Sequence, residues 1–162
     1  MRPFVCEGSP LDCRAFIVGY NPATTMDGDW WRYWKAGYGY QKFLWKEEYL
    51  KQRSGEVSKT RERIETIVAE LSSVRILEAN IDARPSKRKS EYPRPGTAPF
   101  DYVLDACTPK VIIAHGVDAV AYLQRWAEEG GKLIKSKHFI YVGHKRTAEI
   151  IKEARDALRT TT

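Results

Sequence analysis

Four residues of this chain combine a useful side chain with a telling position: Asn21, Asn80, His115 and His138. Each closes or directly follows a short apolar run, namely "AFIVGY", "VRILEAN", "KVIIAHG" and "KLIKSK". Amides and imidazoles present hydrogen-bonding groups in a fixed plane, which suits recognition of a polar planar ligand. Other chemistries lack their signatures. No Ser or Cys nucleophile motif supports acyl transfer, and neither a Walker-type nor a GxGxxG loop supports phosphate cradling by a glycine-rich turn.

The elements that must position these residues follow from periodicity. Ala15–Tyr20, Val74–Asn80, Lys110–Gly116 and Lys132–His138 are short, β-rich and apolar, and each reads as a strand. Helical patterns separate them: Tyr40–Gln52, Glu56–Ser72, Ala98–Cys107 and Val117–Glu129, with Thr147–Arg159 last. Strands alternating with helices call for right-handed crossovers, a parallel sheet and helices on both of its faces. The expected fold is therefore α/β: a three-layer α/β/α sandwich around a central four-stranded parallel sheet, as one domain spanning residues 1–162. Ligands of open parallel sheets bind beyond the carboxyl ends of the strands, where the two amides and two imidazoles would converge.

Composition bounds the function further. The chain has 162 residues, enough for one self-contained core, and 27 Lys+Arg against 21 Asp+Glu give a formal charge of +6. That balance favours a polyanionic partner. Cys6, Cys13 and Cys107 are odd in number and form no CxxC pair, so neither a disulfide framework nor a zinc site is expected. The stretch "MRPFVCEGSP" lacks the apolar core of a signal peptide and no run is long enough to span a bilayer, so the expected setting is cytoplasmic, with no membrane association and a monomeric state.

Four segments, in order, resemble the motifs of the uracil-DNA glycosylase superfamily. "VGYNPAT" resembles the Gly-x-Asp/Asn-Pro turn that closes that superfamily's first strand, and "ILEANIDARPSKRKSEYP" is similar to the Asn-[Ile/Val]-x-x-x-Arg-Pro stretch of its iron–sulfur branch. "TPKVIIAHGVDAVAYL" looks like the third core strand and its helix, and "LIKSKHFIYVGHKR" resembles the second catalytic motif, with His138 followed eight positions later by Arg146. Two departures stand out. Phe139-Ile140 replaces the usual Pro-Ser, and Ala83 stands where the iron–sulfur branch has a cluster cysteine, so no cluster and no other cofactor is expected.

The resemblance implies a monofunctional DNA glycosylase of base excision repair that hydrolyses the N-glycosidic bond of uracil in DNA. It assigns catalysis to Asn21, which would hold the attacking water, and to His138, which would stabilise charge on uracil O2; His144 is the reserve if the motif register slips. Substrate contacts would come from Gly19, Tyr20, Ala23 and Asn80, with Asn80 reading the uracil edge and Trp30 or Trp31 stacking on the flipped base. Ala23 occupies the place of a bulky Tyr in strictly uracil-specific relatives, which leaves room for 5-substituted or other deaminated bases. DNA contacts would fall to Arg84, Lys87, Arg88, Lys89 and Arg146, the partner being DNA that contains uracil or related damaged bases. Two alternatives stay open: a catalytically weak member of the fold that binds nucleic acid or a free nucleobase without turnover, and an unrelated flavodoxin-like module.

Overall fold

Strands buried on both faces read as unbroken apolar runs, and alternate residues then serve two different cores. A computed structural model, describing residues 1–22, 26, 29–86 and 94–160, shows this arrangement. In chain order the elements are β1 (Phe4–Val5), β2 (Glu7–Gly8), β3 (Cys13–Gly19), β4 (Trp34–Lys35), β5 (Gly39–Gln41), α1 (Lys42–Gln52), α2 (Lys59–Glu70) and β6 (Arg75–Asn80). They continue with α3 (Ala98–Cys107), β7 (Val111–His115), α4 (Val117–Tyr122), α5 (Gln124–Glu128), β8 (Lys132–Ser136) and α6 (His144–Arg159). None of these helices is long and apolar enough to cross a membrane.

The protein is mixed α/β, and its main sheet has five strands in the order β1-β6-β3-β7-β8. The four expected strands pair in parallel within it. The expectation of a wholly parallel four-stranded sheet is corrected by β1, which adds an antiparallel edge to β6 through Phe4↔Ala79 and Val5↔Glu78. A second, antiparallel sheet, β2-β5-β4, was not anticipated either. Both omissions have one cause: strands of two or three residues are too short to carry a period-2 signal.

Alternation along the central strands sorts the core. Phe16, Val18, Leu77, Ile112 and Ala114 pack with Trp45 of α1, Phe100 of α3 and Leu123 beyond α4. Ala15, Ile17, Ile76, Val111, Ile113 and Ile134 instead face Ile64 and Ile67 of α2, Ile150 and Ile151 of α6, and Phe139. Ser58 starts α2 by accepting a hydrogen bond from the Arg61 N–H at 3.2 Å, satisfying a donor that the first helical turn leaves free.

Three differences from the expected elements bear on the site. The expected helix Val117–Glu129 is two short helices, broken at Leu123, whose backbone sits at φ −84°, ψ 0° while its side chain is buried. The last helix begins three residues early, at His144, despite two cations in its first turn that oppose the helix dipole; Thr147 Oγ1 donates to the Gly143 carbonyl at 3.0 Å and the helix packs on the sheet. The fourth strand ends at Ser136, so His138 lies in the turn beyond it. Replacing Ile113, fully buried at the middle of the sheet, with Ala is expected to cost about 2–5 kcal/mol. A lowered urea midpoint at unchanged slope would register it.

Candidate functional site

The same alternation that builds the second core also builds the site. Gly19, Asn80 and His115 continue the Ile17, Glu78 and Ile113 face of β3, β6 and β7 at the carboxyl ends of those strands. They are crowded together. A Cβ on Gly19 would lie 2.9 Å from both Cε1 and Nε2 of His115 and 3.0 Å from Asn80 Oδ1, so only glycine lets the two side chains meet over the strand. The ladder runs on past the strands, with the Ile81 N–H donating to the Gly19 carbonyl at 3.0 Å and the Asp82 N–H to the Tyr20 carbonyl at 2.8 Å.

Asn80 and His115 line a cleft of about 370 Å³ together with Asn21, Pro22, His138 and Ile140 and with Arg2, Tyr49, Arg53, Ser58, Thr60 and Arg61. Asn21 Nδ2 donates to the Ser86 carbonyl at 2.9 Å and to Ser86 Oγ at 2.8 Å. Ser86 is itself buried and its N–H donates to the Pro22 carbonyl at 3.1 Å. Both amide protons of Asn21 are thus engaged, and Oδ1 remains as a fixed acceptor. The Asn80 amide has no hydrogen-bonding partner among the described residues.

Burial disfavours the charged form of both histidines. His115 keeps 6% of its surface exposed, stacks on Phe139 at 4.3 Å, and is held down to about 3, first by burial and then by His138 and Arg61. Its Nδ1 is buried without a hydrogen bond. His138 lies 5.1 Å from it, ring to ring, and burial lowers its pKa from the ordinary 6.5. The Ile140 N–H donates to His138 Nδ1 at 3.4 Å, which leaves the ring proton on Nε2. Arg63 of α2 anchors this turn by donating from Nε to the Val142 carbonyl at 2.9 Å. Gly116, at φ +91°, lets the chain leave β7 beside His138.

Beneath the cleft lies a buried ionic cluster. Glu78 takes Arg61 Nη1 at 2.5 Å on one oxygen and Lys42 Nζ at 2.6 Å on the other, while Glu65 receives Arg61, Lys42 and Lys46 at 3.1, 3.3 and 2.9 Å. Burial pushes the Glu78 carboxyl up, but the Arg61 and Lys42 cations outweigh it and hold the group down to about 2.

Several expected site residues lie elsewhere. Trp30 is not a base stacker: it is buried in the first core, its Nε1 donates to the Phe4 carbonyl at 2.6 Å, and its ring stacks on Tyr40 at 4.9 Å. Trp31 is 62% exposed and packs edge-on against Trp30 and Trp34, outside the cleft. Tyr20 packs against the first core instead of lining the cleft. Arg84 grips Asp82 through two nitrogens, at 2.9 and 2.6 Å, and donates to the Arg94 carbonyl, so its guanidinium serves a structural clamp. That clamp, with the Gly96 N–H, holds the Asp82 carboxyl at about 2. Arg146 is paired with Glu149 and Glu153 on α6, and His144 is exposed at the start of the same helix; neither reaches the cleft. Ala23, Lys87, Arg88 and Lys89 lie outside the described residues.

The sequence reading placed His115 at a strand end without giving it a role, and it missed Arg2, Arg53, Arg61 and Glu78 altogether. One signal was present: Glu78 is a charge inside the apolar run "RILEAN", which demands a buried partner. Among the described residues no group of three His, Cys, Asp or Glu side chains could hold a metal ion. Comparison with protein-family models and with curated proteins gives no match for this chain.

Two variants test this geometry. Gly19→Ala is expected to push His115 and Asn80 apart at a cost of about 1–3 kcal/mol, seen as a lower melting temperature together with shifted His115 ring resonances. Glu78→Gln strands Arg61 and Lys42 and is expected to cost about 3–5 kcal/mol at pH 7. Because the folded carboxyl titrates at about 2 against 4.5 unfolded, its stabilisation is complete above 4.5 and fades as pH falls toward 2. Urea unfolding of both proteins at pH 7 and pH 3 should therefore show the gap narrowing in acid.

Proposed function

We propose that this chain is a monofunctional DNA glycosylase on a uracil-DNA glycosylase-like α/β/α sandwich, hydrolysing the N-glycosidic bond of uracil, or of a related deaminated or 5-substituted base, and leaving an abasic site. The observation that carries the reading is the meeting of Asn21, Asn80 and a neutral His138 in one cleft beside Gly19.

Each group has a task that its surroundings support. A nucleotide extruded from the stack brings its base edge to the free Asn80 amide, whose oxygen accepts from N3–H and whose nitrogen donates to O4. His138 donates from Nε2 to O2. As the C1′–N1 bond breaks, its electron pair moves onto the base, and this hydrogen bond strengthens as O2 becomes anionic. Asn21 accepts a hydrogen bond from a water through Oδ1 and so turns the water's lone pair toward C1′; an amide takes no proton, so its contribution is orientation. The water's proton leaves as the new C1′–O bond forms, toward the departing base or solvent. Pro22 and Ile140 offer apolar contact to the faces of the base.

The decisive measurement is excision from a uracil-containing oligonucleotide, single- and double-stranded. Asn21→Ala, Asn80→Ala and His138→Ala should each lose at least about tenfold in kcat/KM, or ~1.4 kcal/mol of transition-state stabilisation, while His144→Ala should not. Salt-sensitive binding with no abasic product at enzyme excess would assign the chain to binding without turnover. Asn21→Asp is expected to destabilise the fold by about 1–3 kcal/mol, since it sets a carboxylate oxygen against the Ser86 carbonyl. Because burial lowers the His138 pKa from its ordinary value, activity should hold through neutral pH and fall only in acid, where protonating His138 Nδ1 breaks the hydrogen bond from Ile140.

A further inference from the structure

We propose that the wall of the cleft formed by the N-terminal segment, the end of α1 and the start of α2 is a phosphate-binding subsite, with the Arg2 guanidinium as its main ligand and Arg53 beside it.

Glu65 pairs with Arg61, Lys42 and Lys46, and Glu78 with Arg61 and Lys42. Arg2 is left over. Its main chain is pinned by a hydrogen bond from its N–H to the Ala83 carbonyl at 2.8 Å, and its guanidinium lies 5.4 Å from the centre of the Trp45 ring. Among the described residues no carboxylate or carbonyl accepts from that guanidinium. Burial, and then the neighbouring Arg61, lower the Arg2 pKa to about 10, so the group is still a cation at neutral pH.

A half-buried guanidinium with no acceptor among the described residues, beside a second guanidinium, is an unfavourable arrangement. Lining a cleft makes sense of it, because a ligand can supply the missing acceptors. Arg53 adds a second cation. It sits 5.5 Å over the Tyr49 ring and uses Nε for the Glu56 carbonyl at 3.2 Å, which leaves its terminal nitrogens for a ligand. Ser58, which caps the twelve-residue α2, and Thr60, in its first turn, line the same cleft, where the helix dipole also favours negative charge. The planar guanidinium fork matches two oxygens of a phosphate and binds them in a charge-assisted pair.

That the anion is a nucleotide phosphate, on the DNA backbone or on a free nucleotide, rests on the glycosylase reading; the anion site itself rests on the charge arrangement alone. Binding of inorganic phosphate, deoxyuridine, deoxyuridine 5′-monophosphate and a uracil-free single-stranded oligonucleotide, measured by calorimetry on the wild type, Arg2→Gln and Arg53→Gln, tests it. Wild type should bind phosphate, and at least one of the monophosphate and the oligonucleotide should bind about tenfold or more weakly to Arg2→Gln, with deoxyuridine unaffected. Loss confined to the monophosphate identifies a terminal phosphate as the ligand, and loss confined to the oligonucleotide identifies the backbone. If Arg2→Gln melts early, Arg2→Lys and Arg53→Gln carry the test, each weakening phosphate-bearing ligands while leaving the nucleoside alone. Unchanged binding of every phosphate-bearing probe to the arginine variants overturns the subsite, even if uracil is excised. Arg2-dependent phosphate binding without excision keeps the subsite and removes the glycosylase reading.

Discussion

Glu78 is the residue on which the site depends. A carboxylate in the middle of a buried strand is tolerable only if cations reach it, and Arg61 from α2 and Lys42 from α1 do so at 2.5 and 2.6 Å. The requirement ties two helices to β6 at the level just below the strand ends. It thereby sets the depth of the cleft, places the first turn of α2 along one wall, and leaves Asn80, two residues further along the same face, free of the cluster.

A second constraint acts one step higher, at Gly19. The central strand of a parallel sheet has neighbours on both sides, so a side chain at its carboxyl end would compete with those of both flanking strands. Here the central strand gives way. The contacts that a Gly19 Cβ would make, with His115 at 2.9 Å and Asn80 at 3.0 Å, show how completely its neighbours have filled that space. Burial then does the rest of the chemistry: it keeps His115 neutral, lowers His138, and makes the orientation of each polar atom matter more than it would in water.

The cleft is thus polar but carefully divided. Among the described residues, Asn21 has both donors committed to Ser86 and one acceptor left, His138 has its acceptor committed to Ile140 and one donor left, and Asn80 has both kinds free. Arg84 and Arg146, which sequence alone marked as DNA contacts, are spent on Asp82 and on the acids of α6. Arg2 and Arg53, cations of the cleft that the sequence did not single out, have guanidinium nitrogens without an acceptor among the described residues.

The sequence by itself determined the four parallel strands, because each holds a short, β-rich apolar stretch, and it placed Asn21, Asn80, His115 and His138 at or just beyond their ends, because that is where such stretches stop. It also determined α3 to the residue, Ala98–Cys107, from its periodicity. Only the tertiary structure decided the edge strand β1 and the small second sheet, whose strands are too short to show a period. The fate of the aromatics was likewise tertiary: a run such as "DWWRYW" specifies that rings will cluster, and packing alone chose Trp30 for the core and Trp31 for solvent. The same holds for charge. An arginine looks alike in sequence whether it grips a carboxylate or lines a cleft, since its role is fixed by the partners that folding brings to it, Glu78 for Arg61, Asp82 for Arg84, and no residue among those described for the Arg2 guanidinium.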